Sequence, residues 1–261
     1  MEQYDVMEFK QELEQALGSP LSGKSLQGTY LLLAEQQQAT IAIYLPGCTE
    51  RLKLATNRSI HIDLDQLQRD RTKIIKRLQA LLGSGKTHYA RQTVVARLDK
   101  RVALAFQEEH HLQVALAGKY RYGLYHQGEL VSIAVFSGGR HMREEAPNYR
   151  SFELLRFCHK GNLRVVGGLS KLIKAFRQDF NPQDIMTYVD RDWAQHSNLT
   201  TLGFKEQGHT APQYFWVVGL QRHYLRSEAE LADWQQRKPE GYCCKNQGST
   251  KLIWKITAPY A

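Results

Sequence analysis

The stretch from Ser151 to Phe176, SFELLRFCHKGNLRVVGGLSKLIKAF, constrains this chain more than any other. Phe152, Leu154, Leu155 and Phe157 read as an apolar strand, and Leu169, Leu172, Ile173 and Phe176 recur at helical spacing. Between them, Arg164, Val166, Gly167, Gly168, Ser170 and Lys171 sit at the mouth of the predicted helix. Such a turn leaves backbone N–H groups unpaired at a helix N-terminus, where the positive end of the helix dipole favours an anion. Glycine at 167 and 168 removes the Cβ atoms that would hold a phosphate off the backbone. The competing expectation is a helix start whose glycines only permit tight packing, with Ser170 as a cap and Lys171 in solvent.

The neighbouring segments extend the pattern. Tyr120–Tyr125 and Leu130–Phe136 read as two strands joined by a Gln127-Gly128 hairpin turn. Ile185–Val189 forms a further short strand ending near Asp190. A short helical stretch is expected from about Trp193, closed by Leu202-Gly203-Phe204, and Tyr214–Val218 reads as another strand.

This order and these motifs resemble the GNAT superfamily of N-acetyltransferases. In that family an R/Q-x-x-G-x-G/A turn after the fourth strand holds the coenzyme A pyrophosphate. Arg164-Val165-Val166-Gly167-Gly168-Leu169 matches the first Arg and first Gly and departs at the last position, Leu169. Leu202-Gly203-Phe204 matches the family's L-G-F ending. The tyrosine that often serves the family as general acid, four residues before that glycine, is replaced here by Leu199. His111-Leu112-Gln113, Gly128–Val131, Glu153–Cys158, Val165–Leu172 and Gly248–Leu252 also resemble a group of uncharacterised phage and bacterial proteins, distantly like the phage Mom DNA-modification enzyme. The resemblance implies an α+β fold, a GNAT-like mixed central sheet flanked by helices. It also implies acetyl-CoA or another acyl-CoA as cofactor, with Phe157, Cys158, Arg164, Val166, Gly167, Gly168, Ser170 and Lys171 around it.

The 261 residues divide in this reading into a small N-terminal α+β module (1–84), a transferase core (85–226) and a helix–strand extension (227–261). The Gly83-Ser84-Gly85 boundary continues into Lys86-Thr87 and ends like a P-loop, but Ala80 stands where the first glycine is needed and a helix precedes it. No apolar run is long enough to span a membrane, and Cys48, Cys158, Cys243 and Cys244 form no disulfide framework, so a reducing, cytoplasmic setting is expected. No Cys-x-x-Cys or His-x-x-x-His pair points to zinc.

The net charge of +9 is unevenly placed. Residues 1–50 carry 2 basic and 7 acidic side chains, and residues 51–101 carry 13 basic and 4 acidic. Part of that excess lies on a predicted helix over Asp65–Leu82, with Arg69, Arg71, Lys73, Lys76 and Arg77 off its apolar face. Residues 65–101 therefore read either as a DNA or RNA backbone track, or as a solvated face packed against the acidic N-terminal segment.

Acyl transfer to an amine requires a base for the amine and donors for the thioester carbonyl. Glu153, on the central strand, is the expected general base, or else a surface partner of Arg150 or Arg156. Asp190 is the second candidate, or a helix cap shared with Asp192. His111, at the end of a helix starting near Lys100, is a third, with Gln113 and Arg156 as substrate-binding residues. Cys158 reads as core more readily than as nucleophile, and Tyr188 and Tyr214 as packing more readily than as proton donors. The leading expectation is an acyl-CoA-dependent N-acyltransferase with an amine acceptor, nucleic-acid-linked in its most specific form. The alternative is an inactive nucleic-acid-binding accessory protein with the same core. A magnesium nuclease built from Asp190, Asp192, Glu153 and His111 has no support in their spacing.

Overall fold

The structure is a computed structural model that describes residues 2–54, 58–142, 144–193 and 199–256. The N-terminal module comprises α1 (Glu2–Leu17), β1 (Ser22–Leu26), β2 (Thr29–Ala34), β3 (Ala39–Tyr44), β4 (Arg58–Asp63) and α2 (Leu64–Leu82). Its four strands lie in sequence order, with β3 and β4 parallel. Phe9 and Leu13 of α1 and Leu67, Ile74 and Leu78 of α2 cover Ile41, Ile43, Ile60 and Ile62. All nine are essentially fully buried, which is why α2 carries its apolar residues at helical spacing.

Next come β5 (Thr87–Tyr89), β6 (Val94–Arg97), α3 (Lys100–His110), β7 (Tyr120–His126), β8 (Glu129–Phe136) and the two-residue β9 (Arg140–His141). The β7–β8 turn places Gln127 and Gly128 at φ +50° and +83°, the doubly left-handed hairpin expected of that pair. Then follow β10 (Arg150–His159), β11 (Arg164–Val166), α4 (Gly168–Phe180), β12 (Asp184–Asp190) and β13 (Lys205–His209). The chain ends with β14 (Tyr214–Val218), β15 (Gln221–Leu225), α5 (Glu228–Arg237), β16 (Tyr242–Lys245) and β17 (Ser249–Lys255).

The central sheet has the order β13-β17-β12-β10-β8-β7-β6, with β9 on β10. It is mixed: β10 and β12 run parallel while their outer neighbours are antiparallel. This is the α+β arrangement that the GNAT resemblance implies. The short β9 aside, β10 is the fourth strand of this sheet in chain order, and the glycine turn follows it. One face packs on α4, where Phe136, Phe152, Leu172, Ile173 and Phe176 are buried and Phe136 stacks on Phe176 at 3.9 Å. The other face packs on α3 through Ala103, Phe106, Ile133 and Val135.

Two features depart from the sequence reading. Tyr214–Val218 lies outside the central sheet, in a three-stranded sheet β15-β14-β16. The strand read as part of a C-terminal extension, β17, instead enters the central sheet between β12 and β13. Strand pairing between distant segments decides both, and neither leaves a local pattern. The N-terminal module is also tied into the rest. The His61 N–H donates to Asp192 O at 2.9 Å, and Trp193 and Leu112 join the module's own core.

Candidate active site

β10 and β12 pair only over Ser151–Glu153 and Asp184–Met186, and beyond that point they part. From Leu154 onward β10 pairs with β8, with an irregularity between Leu154 and Arg156, while β12 is paired along its length with β17. The Thr187 hydroxyl crosses the opening to donate to Leu154 O at 2.9 Å. Lys160 N–H donates to Val131 O, so by ladder alternation Phe157 turns its backbone N–H away from β8 and toward the opening. Parted parallel strands of this kind offer unpaired amides inside the sheet, a place for an extended polar ligand.

The glycine turn follows β10 and β11 in the chain and lies against Val165 and Leu124. Gly167 caps α4 with φ +76° and ψ 4°, a left-handed conformation that favours glycine. Gly168 is glycine for a different reason: a Cβ there would lie 3.1 Å from Val165 Cβ and 3.3 Å from Leu124 Cδ1. The first helical bond runs from Lys171 N–H to Gly167 O, and no side chain caps the helix. Among the described residues no hydrogen bond engages the amides of Gly168, Leu169 or Ser170, which is the open donor set the sequence suggests. Arg164, Val166, Gly167 and Ser170 are exposed beside it. β11 pairs in parallel with β5, which brings the Ala90–Gln92 turn alongside, with Arg91 exposed.

Lys171 has another occupation. Its ammonium donates to Ala90 O at 2.8 Å and to Thr93 O, stapling α4 to the turn after β5. The long stem follows those carbonyls rather than the helix mouth.

The face of β10 opposite α4 holds the remaining candidates. Phe152 and Leu154 pack under α4, so Glu153 lies on the α3 side. Glu153 is the last residue of the parallel ladder. Its carboxylate makes no ion pair or hydrogen bond among the described residues, so neither Arg150 nor Arg156 takes it as a salt-bridge partner. Arg156 instead donates to Leu155 O at 2.7 Å and twice to Val114 O, at 3.2 and 3.1 Å. Gln113 donates to Asp190 Oδ2 at 3.3 Å, and Asp190 Oδ1 accepts the Asp192 N–H at 2.9 Å. Asp190 is thus a turn-closing carboxylate that also faces Gln113. The helical stretch expected after Trp193 lies partly outside the described residues, and Thr200–Leu202 is a single 3-10 turn ending at Gly203.

His111 accepts the Gln113 N–H at Nδ1, at 3.0 Å. Burial, then the nearby guanidinium groups of Arg77 and Arg156, pull its pKa down to about 3. It is neutral at ordinary pH and a poor proton acceptor, so its fitting role is positioning. Burial pushes the Cys158 thiol up to about 12, which makes it a packing residue. His111, Gln113, Arg156, Asp190 and Glu153 therefore share one side of the sheet, with the glycine turn at the head of the helix covering the other.

Part of the basic block is engaged within the chain. Arg71 meets Asp5, Glu8 and Glu12 of α1, Arg69 and Lys73 share Asp70, and Arg97 binds Asp179. The acidic N-terminal helix and the basic helix are packed partners, and the continuous phosphate track drawn from the sequence is broken. Lys76, Lys86, Arg91, Lys100 and Arg101 remain exposed in it. The P-loop look-alike is a helix terminus: the amides of Gly83, Ser84 and Gly85 all donate to Gln79 O.

A buried ionic cluster is not legible in the sequence. Arg222 of β15 binds Asp65 at 2.6 Å and Asp63 at 2.7 Å, and Arg51 binds Asp63 at 2.7 Å. Asp63, Asp65 and Cys244 come close enough to suggest a metal site, but both carboxylates already face guanidinium groups. They read as an ionic latch between the N-terminal module and the three-stranded sheet.

No protein-family model and no curated protein matches this sequence. Among solved structures the chain is similar to the ribosomal-protein-S18-alanine N-acetyltransferase of Escherichia coli, at 10% identity and a TM-score of 0.42, covering 64% of this chain and 95% of that one. It is also similar to a histone acetyltransferase HPA2-related acetyltransferase of Corynebacterium glutamicum (11%, TM-score 0.40, 65% and 99% covered). A Bacillus subtilis acetyltransferase in complex with CoA gives 13%, a TM-score of 0.38, and 63% and 99% covered. Likeness at this level fixes no activity, and the chemistry of this chain has to be read from its own parted strands and glycine turn.

Proposed function

We propose that this chain is an acyl-CoA-dependent N-acyltransferase. The observation that carries the reading is the pairing of two features in the segment from β10 to β12: the opening between those strands, and the unengaged amides of Gly168, Leu169 and Ser170 at the start of the helix that joins them. Those amides, the exposed Gly167 and the nearby Arg164 and Ser170 suit a diphosphate, because three N–H groups and a helix dipole meet at a terminus that no side chain caps. A thioester bound there supplies an activated acyl group. The N–H of Phe157 orients a carbonyl in the opening. Glu153, unpaired and half-buried, takes the proton of the attacking amine. Gln113 holds the Asp190 carboxylate in place, and neutral His111 fixes the Gln113 backbone.

Leu199 packs in the core under α4 and offers no acid for the departing thiolate. Tyr188, exposed on β12, is the phenol this reading offers as the acid. The acceptor is an amine; with Arg71, Lys73 and Arg97 already held by carboxylates, the basic block lends a nucleic-acid linkage no specific support. Calorimetric titration with acetyl-CoA tests the proposal. Micromolar binding that Ser170→Glu weakens supports it, and failure of the wild-type protein to bind any acyl-CoA removes it.

A further inference from the structure

The arginines set into the interior of this chain are treated in two ways. Arg51 and Arg222 each face carboxylates at 2.6 to 2.8 Å. Arg77 does not. It is half-buried, its guanidinium lies 4.3 Å over the Trp193 ring, and among the described residues it makes no ion pair and no hydrogen bond. Asp190 is the one carboxylate that acts on it, and that group is already engaged by Gln113 and the Asp192 N–H. Burial lowers the Arg77 pKa against the pull of Asp190, and lowers that of Arg156 against the pull of Glu153. Both guanidinium groups bear on His111 and on Cys158. Two cations thus converge beside the end of β10, on the side of the sheet where Glu153 and Asp190 stand. A desolvated guanidinium is costly unless something negative meets it. A cation–π contact offsets only part of that cost and falls short of a full counter-ion.

We propose that Arg77, with Arg156 beside it, forms an oxyanion subsite for the acceptor, so that the amine this protein acylates carries a carboxylate or phosphate group. The proposal rests on the acyl-transfer reading and adds the substrate class to it. Arg77 comes from the N-terminal module, so that module supplies part of the acceptor site.

The test uses the full chain with sodium phosphate and sodium acetate as probes, at fixed ionic strength against sodium chloride. The readout is tryptophan fluorescence, because an anion drawn to Arg77 changes the charge over the Trp193 ring. Acetyl-CoA affinity is measured by calorimetry on the same proteins. The expected result is a saturable response to phosphate or acetate that disappears in Trp193→Phe and weakens about ten-fold or more in Arg77→Met. Acetyl-CoA affinity should stay within about two-fold. A response to phosphate alone assigns a phosphorylated acceptor, and one to acetate alone assigns a carboxylate. If Arg77→Met fails to fold, Arg77→Gln and Arg156→Met replace it. No saturable response to either anion, or an undiminished one in the arginine variants, overturns the proposal. Equal loss of acetyl-CoA binding also overturns it, by giving Arg77 to the cofactor. A wild-type protein that answers to the anions but binds no acyl-CoA would sink the transferase reading and leave the subsite standing.

Discussion

The N-termini of α2 and α4 both follow a short strand, and the same positive dipole end emerges from each. At α2 the residue before the helix is Asp63, with Asp65 in the first turn, and both carboxylates are locked to Arg51 and Arg222. At α4 the same place holds Gly167, no acid stands in the first turn, and among the described residues no hydrogen bond engages the leading amides. One terminus is closed by the chain's own anions and bolts two parts of the molecule together. The other has no anion of the chain's own, and in the proposed reading takes one from outside. The difference lies in a few residues, and it separates a structural helix start from the proposed ligand site.

Breaking the closed end should have the largest effect. Arg222→Met leaves two buried carboxylates short of a partner and should cost about 3–5 kcal/mol, read by thermal or urea unfolding. A loss below about 1 kcal/mol would mean that the latch is not a latch. Acetyl-CoA binding, measured below the new melting temperature, should survive.

Glu153→Gln should lower acyl transfer, followed as thiol release, by about 10²-fold or more with acetyl-CoA affinity unchanged. Retained turnover would move the base to Asp190. At the open end, Ser170→Glu should have effects of opposite sign. A carboxylate in the first turn of α4 should leave stability equal or raise it by up to about 1 kcal/mol. The same charge should weaken acetyl-CoA binding about ten-fold by repelling the diphosphate. Loss of both stability and binding would mean a damaged helix rather than a blocked site.

A smaller effect concerns the turn beside the latch. Burial raises the Asp192 pKa to about 7. Arg51 opposes that rise, while Asp190 and Asp63 add to it. The folded state therefore holds a proton that the unfolded chain gives up near the ordinary carboxylate value. The stability this gives is full below about pH 4 and is lost as pH rises to about 7. Melting temperatures of wild type and Asp192→Asn should accordingly diverge across that window, the variant gaining relative to wild type as pH rises. Parallel curves would show that Asp192 ionises normally.

Much of the open end is legible in the sequence, because its signals are local. The apolar strand at Phe152–Phe157, the Gly167-Gly168 turn, the helical spacing through Phe176 and the hairpin at Gln127-Gly128 all rest on neighbours within a few residues. The closed end is invisible there, since Arg222 reaches Asp65 across 157 positions and no pattern near either announces the other. The same reason hides β17 inside the central sheet and sends the Lys171 ammonium to Ala90, 81 positions away. Glu153 is an intermediate case. Its strand can be read locally, but its lack of an ionic partner depends on Arg156 turning to Val114 O, which only the folded chain decides.

Backbone amide shifts recorded during titration with acetyl-CoA address the open end atom by atom. The N–H resonances of Gly167, Gly168, Leu169 and Ser170 should move most, with Phe157 next and the first turn of α2 still. Saturating acetyl-CoA that leaves the α4 amides unmoved would contradict a diphosphate site at this helix.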